Sequence, residues 1–138
     1  MSPSETSIAA VVLAAGRSTR MGAHKLLLPL GDRPLVSYAV AAACASRAAP
    51  VVVVLGHDAE AVRAALPLHR QRYVVNDAFA SGMASSLRAG IAALPLAATG
   101  ALVLLADQPL VTAALVSQVL TAATAHPERI VADRKSVV

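Results

Sequence analysis

Short apolar runs alternate with segments of helical character along most of this chain, and this alternation limits the possible folds more than any other feature. The runs lie at Ile8–Ala15, Val51–Leu55, Tyr73–Val75 and Ala101–Ala106. Each run is free of charged residues, which is typical of strands that are buried on both faces of a parallel sheet. The sequence therefore predicts a Rossmann-like three-layer α/β/α fold with a mainly parallel sheet.

The segments between these runs carry the start and stop signals of helices. A proline in the first turn costs a helix little, and Asp or Thr can cap a helix start. A fifth strand is predicted to begin after the last helix. The predicted elements are a helix from Pro34 to about Arg47, one from Asp58 to about Leu66, one from Ser81 or Gly82 to near Leu94, one from Ala113 to about Ala125 capped by Thr112, and a strand at Arg129–Ala132.

Length and composition indicate one domain with an aliphatic core. The 138 residues include 57% hydrophobic residues but only three aromatic ones, so the core has to be built from Ala, Val and Leu. The net charge of +4 is not accompanied by interleaved aromatic residues, which favours a small anionic substrate over a nucleic acid. Cys44 is the only cysteine, so an intrachain disulfide is impossible, and it is interpreted as a small buried hydrophobe. Residues 1–7 are predicted to form a flexible N-terminus.

One stretch raises the question of a membrane span. Residues Ala89–Ala106 contain no charge over 18 positions, which approaches the length that a transmembrane helix requires. Pro95 and the Thr99-Gly100 pair interrupt this stretch and predict a helix end, a turn and a strand instead. The N-terminus also lacks the cationic start of a signal peptide, so we expect a cytoplasmic protein without a membrane partner.

The first strand runs directly into a cationic loop that contains glycines. Gly16 and Gly22 permit close approach of the backbone to a ligand, and Arg17, Arg20 and Lys25 can neutralise phosphate charge. The spacing fits neither the P-loop nor the dinucleotide-binding fingerprint. A polyphosphate site and an ordinary basic surface loop both remain open on these residues alone.

A carboxylate follows the fourth strand in a comparable position. Because the carboxyl ends of parallel strands meet at one edge of a sheet, Asp107 and the Gly16 loop should lie on the same edge. A carboxylate there can hold Mg²⁺ against phosphate oxygens. Asp107 before Gln108-Pro109 could equally serve as a turn or cap residue, and its spacing does not separate these readings.

Three ordered motifs resemble those of the MobA-like nucleotidyltransferases. The first is Leu13-Ala14-Ala15-Gly16-x-Ser18-x-Arg20-Met21-Gly22-x-x-Lys25, followed by Leu28-Pro29 and Gly31-x-x-Pro34-Leu35. The others are Gly82-Met83-Ala84-Ser85-Ser86-Leu87-Arg88-Ala89-Gly90 and Leu105-Ala106-Asp107-Gln108-Pro109. Within this superfamily the chain is most similar to the molybdenum cofactor cytidylyltransferases.

The resemblance implies a Mg²⁺-dependent transfer of CMP from CTP to the phosphate of molybdopterin-bound molybdenum, with release of pyrophosphate. It implies catalytic roles for Arg20, Lys25 and Asp107, with Asp107 as the metal ligand. A molybdoenzyme or its chaperone is the implied recipient of the product. The implied nucleotide-binding residues are Leu13, Ala14, Ala15, Gly16, Arg17, Ser18, Gly22, Asn76, Ser81 and Gly82. In these relatives Leu-Ala-Ala-Gly is associated with cytosine and Leu-Ala-Gly-Gly with guanine, so Ala15 favours CTP. For Ser81, simple capping of the following helix is the alternative.

The resemblance also implies further strands and helices after the fifth strand, with a second metal-binding carboxylate. Residues Arg134–Val138 do not resemble that continuation, so we expect a truncated domain that is incomplete at its C-terminus. Three alternatives to the cytidylyltransferase remain open at this point. One is a transferase of the same superfamily that uses GTP or acts on a sugar phosphate, and another is a nucleotide-binding fragment without turnover. The third is a structural or interaction domain.

Overall fold

A computed structural model of the chain describes residues 7–16, 19–20, 23–67, 69–78 and 82–125. Its strands and helices alternate as the apolar runs predict. In chain order the elements are β1 (Ile8–Ala14), β2 (Thr19–Arg20), β3 (Ala23–His24), a 3₁₀ turn (Lys25–Leu27), β4 (Pro29–Leu30), β5 (Arg33–Pro34), α1 (Val36–Ala45), β6 (Val51–Leu55), α2 (Ala59–Ala65), β7 (Arg72–Val75), α3 (Met83–Ala92), β8 (Gly100–Leu105) and α4 (Ala113–Ala125).

The main sheet has four parallel strands in the order β7-β6-β1-β8. Strand β1 lies inside the sheet, with Val12 opposite Val53 of β6 on one side and opposite Leu104 of β8 on the other. The chain therefore leaves β1 in one direction, builds β6 and β7, and returns to place β8 on the opposite side of β1. This reversal of strand order falls between β1 and β8.

Helices cover both faces of the sheet and complete the predicted three layers. On one face, alternate strand residues such as Val12 and Val53 pack with Val40 of α1, Val62 of α2 and Leu120 of α4. On the other face, α3 packs over a smaller cluster, whose buried residues are Val11, Leu13, Ala15, Val52 and Val54. The largest fully buried side chains are Leu55 and a set of valines, so the aliphatic core that the composition predicts is confirmed.

Glycine makes the close approach of α3 to the sheet possible. A Cβ atom added at Gly90 would lie 2.5 Å from Val11 Cγ1 and 3.0 Å from Val54 Cγ2. These distances are far shorter than ordinary carbon–carbon contacts of about 3.5–4.0 Å. Because Gly90 has no side chain, α3 can lie this near to β1 and β6.

The region between β1 and α1 differs from the prediction. Pro34 does not open a helix, because it pairs with Pro29 across a two-strand hairpin whose turn contains Gly31 and Asp32. Helix α1 starts at Val36, and the Ser37 hydroxyl donates to the Pro34 carbonyl at 2.7 Å. A second short hairpin, β2–β3, pairs Thr19 with His24.

Two further sequence predictions concern the ends of the chain and the uncharged stretch. The predicted strand at residues 129–132 lies outside the described residues, as does the predicted flexible segment up to residue 6. The Ala89–Ala106 stretch divides into the end of α3, a turn after Leu94 and strand β8, as its breakers predict. None of the helices in the described part of the chain has the length and apolar character that crossing a membrane requires.

Candidate active site

The carboxyl edge of the sheet between β1 and β8 is the candidate site. Open parallel sheets bind ligands beyond the carboxyl ends of their strands, where the strand order reverses. Gly16 follows β1 at this edge, and Asp107 follows β8. The fold therefore brings the two strongest sequence candidates to the two sides of one crevice.

Lys25 and Asp107 meet across this crevice. The Lys25 Nζ atom lies 3.7 Å from Asp107 Oδ2, and the two side chains are 29% and 40% exposed. This arrangement agrees with the prediction that the cationic loop and the carboxylate share one edge. An ion pair that is this accessible to water contributes only about 0.2–1 kcal/mol to stability, so both charged groups could exchange this contact for a ligand at little cost to folding.

Local structure holds both members of this pair in place. Lys25 opens the 3₁₀ turn, in which the Leu28 N–H donates to the Lys25 carbonyl at 3.1 Å and the Leu26 side chain is buried. Asp107 lies in a turn that is closed by the Gln108 N–H, which donates to the Leu105 carbonyl at 3.2 Å. Each charged group is thus carried by a short hydrogen-bonded turn.

The end of β1 is anchored from both neighbouring strands. The Ala106 N–H donates to the Leu13 carbonyl at 3.1 Å, and the His57 N–H donates to the Ala15 carbonyl at 3.3 Å. The side chains of Leu13, Ala14 and Ala15 are buried, and Gly16 is the first exposed residue after the strand. Leu13, Ala14 and Ala15, which are predicted to bind the nucleotide, therefore have buried side chains on an anchored backbone. Gly16 is the first of these predicted residues that solvent reaches.

The remaining residues of the predicted phosphate loop are only partly described. The backbone of Arg20 belongs to β2, which pairs with β3 immediately before Lys25. The predictions for the side chain of Arg20, and for residues Arg17, Ser18, Gly22 and Ser81, lie outside the described residues. Their roles stay predictions.

Asn76, a predicted nucleotide-binding residue, makes several hydrogen bonds within the protein. Its side chain is 8% exposed, and its amide nitrogen donates to the hydroxyls of Ser85 and Ser86 at 3.0 and 2.9 Å. Its Oδ1 atom accepts from the Ala78 N–H at 3.0 Å. Its own N–H donates to the Leu55 carbonyl at 2.7 Å. The amide is thus engaged with two serines of the Gly82–Gly90 motif and with its own loop, and its contact with a nucleotide stays a prediction.

Gly82 lies at the cap position of α3, as one of the two predicted helix starts. Its φ of 109° falls in a region that side-chain-bearing residues rarely adopt, while a Cβ atom at this position would meet nothing within 4 Å. The glycine is therefore needed for backbone conformation rather than for space. It turns the chain so that α3 begins at the carboxyl edge of the sheet.

A cleft of about 340 Å³ opens beside Lys25 and was not predicted from the sequence. Apart from Lys25 it is lined by apolar residues within and directly beside the β4–β5 hairpin, namely Leu28, Pro29, Leu30 and Leu35. It combines an apolar wall with one ammonium group.

Within the described residues, the predicted metal ligand at this edge is one carboxylate, Asp107. In the described residues no group of three or more His, Cys, Asp or Glu side chains is gathered for metal binding. Asp107 alone suits Mg²⁺, which proteins often hold through one or two carboxylates while substrate phosphates and water supply the other ligands. The site fits a metal that arrives with a polyphosphate and does not form an all-protein cage.

The single cysteine lies away from this edge. The Cys44 thiol, in the last turn of α1, donates to Gln71 Oε1 at 3.6 Å and is half-buried. Burial raises its pKa above the ordinary thiol value, although the nearby Arg70 guanidinium acts in the opposite direction. Cys44 packs against the core, as the sequence interpretation expects, but it is only partly buried and not a fully buried hydrophobe.

Comparison with known proteins assigns the family. The profile of the MobA-like NTP transferase domain matches residues 10–137. The chain therefore belongs to the MobA-like NTP transferase family, and the predicted superfamily is confirmed.

Solved structures and curated relatives agree with this assignment. The Rv0371c protein of Mycobacterium tuberculosis superposes with a TM-score of 0.77 at 38% identity, over 87% of this chain and 61% of that protein. A nucleotidyl transferase from Methanothermobacter gives a TM-score of 0.77 at 32% identity, over 85% of this chain and 58% of that one. The mainly parallel α/β nucleotidyltransferase fold is thus confirmed.

Two curated relatives differ in their named activities. The bifunctional protein GlmU of Anaeromyxobacter sp. (strain Fw109-5) is 40% identical over 128 residues, which cover 88% of this chain and 26% of GlmU. Nicotine blue oxidoreductase of Paenarthrobacter nicotinovorans is 40% identical over 114 residues, covering 82% of this chain and 55% of that enzyme. The chain therefore spans only part of the length of the relatives that it matches.

Proposed function

We propose that this chain is a Mg²⁺-dependent nucleotidyltransferase that transfers CMP from CTP to the phosphate of molybdopterin-bound molybdenum and releases pyrophosphate. The observation that carries the proposal is the Lys25–Asp107 pair, with 3.7 Å between charged atoms at the point where the strand order reverses. We place the reaction in the cytoplasm, with a molybdoenzyme or its chaperone receiving the product.

The reaction that we propose needs no covalent intermediate. An oxygen of the acceptor phosphate attacks the α-phosphorus of CTP in line, and a new phosphorus–oxygen bond forms. The bond from the α-phosphorus to the oxygen that bridges to the β-phosphate breaks, and pyrophosphate leaves with its electron pair. Because the attacking phosphate oxygen is already ionised at neutral pH, no proton has to be removed, and catalysis consists of positioning and charge stabilisation.

Lys25 and Asp107 divide this work by charge. The Lys25 ammonium can approach the phosphate oxygens on which negative charge accumulates in the transition state. Arg20 is proposed to act beside it, and the Gly16 backbone gives the phosphates close access to the strand end. Asp107 would hold Mg²⁺, which when bound neutralises the triphosphate and the departing pyrophosphate. A crystal structure of Rv0371c in complex with manganese, at 36% identity, supports the use of a divalent cation by this fold.

Cytosine is the base that we propose for the nucleotide. The support is the residue at position 15, since the strand end reads Leu-Ala-Ala-Gly and its backbone is anchored by both neighbouring strands. In the proteins whose motif this chain resembles, Leu-Ala-Ala-Gly is associated with cytosine and Leu-Ala-Gly-Gly with guanine, and this association is the basis for proposing CTP.

A sugar phosphate is the second acceptor that an observation favours. Several GlmU proteins resemble the chain strongly over its best-matching part, for example 52% identity over 68 residues in Anaeromyxobacter sp. (strain K). The relative named an oxidoreductase favours neither acceptor. The cationic edge around Lys25 favours phosphate chemistry in both cases.

The test is calorimetry of this chain with CTP, GTP and ATP, each with and without Mg²⁺. We expect CTP to bind most tightly, and only with Mg²⁺ present. Asp107→Asn should weaken CTP binding in Mg²⁺ to the level seen without Mg²⁺. The fold should stay intact, because the carboxylate is accessible to water. If none of the three nucleotides binds, the proposal is overturned.

Pyrophosphate release distinguishes the remaining alternatives. Release with molybdopterin-bound molybdenum as acceptor supports the cytidylyltransferase, and release with a sugar phosphate supports the second candidate. Tight CTP binding without release on either acceptor would identify a nucleotide-binding fragment without turnover.

A further inference from the structure

The charged side chains of the described chain are divided between the two edges of the main sheet. Each of the five carboxylates among the described residues lies after the carboxyl end of a sheet strand and no later than the first turn of the following helix, namely Asp32, Asp58, Glu60, Asp77 and Asp107. The amino edge, where the chain enters β6 and β7, carries Arg47, Arg70 and Arg72. In the described part of the chain, this edge therefore has positive groups and no carboxylate to offset them.

A cleft of about 450 Å³ opens at this amino edge, and we call it the amino-edge cleft. Two residues before β6, Ala49 and Pro50, line it together with Pro95, which follows α3. Its other lining residues are Arg70 and Arg72. A five-residue strand such as β6 spans about 16 Å, so the length of the sheet separates this cleft from the crevice at the carboxyl edge.

The Arg70 guanidinium is held in a fixed orientation at this cleft. Its Nε–H donates to the Cys44 carbonyl at 3.0 Å, and its Nη2 group donates to the Ala43 and Ser46 carbonyls at 3.2 and 2.7 Å. These carbonyls lie at the end of α1, where a positive charge is favourable. Because the Nη1 group makes no hydrogen bond with a described residue, its hydrogens stay available on a side chain that is already ordered.

Arg72 has no contact within the described residues that accounts for the position of its guanidinium. It is the first residue of β7, and its side chain is exposed and makes no hydrogen bond or ion pair with another described residue. By comparison, Arg47 donates to the Thr121 hydroxyl, and Arg63 stacks on the Tyr73 ring. Two guanidinium groups that line one cleft repel each other, and an anion bound between them would offset this repulsion.

We propose that the amino-edge cleft is a binding site for a small molecule that carries a phosphate group beside an apolar part. A phosphate monoester has a charge of about −1.5 to −2 at neutral pH, which matches the two guanidinium groups better than a single carboxylate does. Guanidinium N–H groups also fit phosphate oxygens in pairs. Ala49, Pro50 and Pro95 supply apolar surface next to the two charges. The site is distinct from the crevice of Lys25 and Asp107, and it does not depend on the nucleotidyltransferase activity.

Phenyl phosphate, inorganic phosphate and benzoate are the probes, and heteronuclear correlation NMR of the nitrogen-labelled full chain reports where each one binds. The Arg70 Nε–H and Arg72 backbone N–H signals report on the amino-edge cleft, and the Lys25 and Leu28 backbone signals report on the crevice. We expect the Kd of phenyl phosphate, read from the cleft signals, to be about 1 mM or lower. Inorganic phosphate lacks the apolar part and benzoate has a single charge, so each should bind at least about fivefold more weakly.

Two arginine variants test whether the cleft itself holds the phosphate. Arg72→Gln removes one charge from the cleft, and Arg47→Gln is the matched control, because it removes one charge from the same edge without altering the cleft lining. We expect Arg72→Gln to raise the Kd of phenyl phosphate about tenfold, as loss of a charge-assisted hydrogen bond does. Arg47→Gln, and Lys25→Ala at the crevice, should each change this Kd by less than about twofold at physiological salt, which screens distant exposed charges. Both arginines are exposed, so the urea midpoints of their variants should stay the same.

Four results would contradict this assignment of the amino-edge cleft. If saturating phenyl phosphate leaves the Arg70 and Arg72 signals in place, the cleft takes no phosphate compound. If Arg47→Gln weakens binding as much as Arg72→Gln, the anion responds to the general positive charge of the edge and the cleft is not a site. If inorganic phosphate binds as tightly as phenyl phosphate, the apolar walls take no part in binding. A single-stranded oligonucleotide that binds the cleft more tightly than phenyl phosphate would identify a nucleic-acid partner instead.

Discussion

Replacing Gly90 by alanine tests how α3 is seated on the sheet. The added methyl carbon would lie 2.5 Å from Val11 Cγ1 and 3.0 Å from Val54 Cγ2, so it is too close by about 1 Å and about 0.5 Å relative to ordinary carbon contacts. Val11 and Val54 are fully buried and belong to strands in the sheet interior, so neither can move aside. Helix α3 would have to shift away from the sheet.

Two opposing terms set the size of the effect. Overpacking a well-packed core costs about 1–3 kcal/mol, and two simultaneous contacts of this severity put Gly90→Ala at the upper end of that range. Alanine is a better helix former than glycine by about 1 kcal/mol, which offsets part of the cost. We therefore expect a net loss of about 2 kcal/mol in the free energy of unfolding.

Urea unfolding followed by circular dichroism measures this loss as a lower midpoint at an unchanged slope. Gly100→Ala is the control, because a Cβ atom there would meet only Ile8 Cγ1 at 3.8 Å, and it should change stability by less than about 0.5 kcal/mol. The double variant Val11→Ala/Gly90→Ala should be more stable than the sum of the single variants predicts, since the truncated valine makes room for the methyl group. If Gly90→Ala is as stable as the unmodified chain, the close packing of α3 is wrong.

Three further predictions follow from the site and its surroundings. Lys25→Ala and Asp107→Asn should each lower the rate of pyrophosphate release at least about 100-fold, because each removes stabilisation of the transition state. The free energy of unfolding from urea titration should change by less than about 1 kcal/mol. An unchanged rate in either variant would remove that residue from the mechanism. Thr112→Ala should cost about 1 kcal/mol of stability, because the Thr112 hydroxyl accepts from the Leu115 N–H at 3.1 Å, and Thr112→Ser should restore it. Burial raises the pKa of the Cys44 thiol, so its thiolate forms at higher pH in the folded chain than in the chain unfolded by urea. Alkylation by iodoacetamide should therefore accelerate at a higher pH in the folded chain, and the free energy of unfolding should fall as the pH rises above the pKa of the unfolded thiol. Coincident pH profiles of alkylation for the folded and unfolded chains would contradict the shift.

The main sheet could be predicted from the sequence because its strands carry strong local signals. Val51–Leu55 is a continuous apolar run between Pro50 and Gly56, and its bounds are the same in prediction and structure. The limits of β1 and β7 differ from prediction by one residue at one end, and those of β8 by one residue at each end, which is where a strand merges into a turn. Burial on both faces is what makes these strands uniformly apolar and so recognisable.

The hairpins before α1 could not be predicted, because their strands lack such local signals. Strands of two residues have no periodicity, and Pro34 carries a helix-start signal whether or not a helix follows. Its pairing with Pro29 depends on the turn at Gly31, whose φ is +68°, and on the Tyr38 hydroxyl, which donates to the Leu30 carbonyl. These contacts join residues whose types alone do not specify the pairing.

For the site, position could be predicted and side-chain partners could not. That Gly16 and Asp107 lie on one edge follows from strand direction alone, and the 3.7 Å between Lys25 and Asp107 agrees with it. The engagement of Asn76 with Ser85 and Ser86 depends on how α3 turns back over β6 and β7, which no local pattern encodes. A sequence rich in polar residues near a strand end therefore identifies the region of a site before it identifies which residues face the ligand.

The two sides of the crevice belong to strands that differ in their number of pairing partners. Strand β1 has a partner on each flank, whereas β8, among the described strands, pairs with β1 alone and leaves Ala101 and Val103 partly in water. Among the described strands β8 therefore has fewer backbone partners than β1, and the turn that follows it carries Asp107. A ligand that contacts both Lys25 and Asp107 would join the ends of these two strands and stabilise the folded chain.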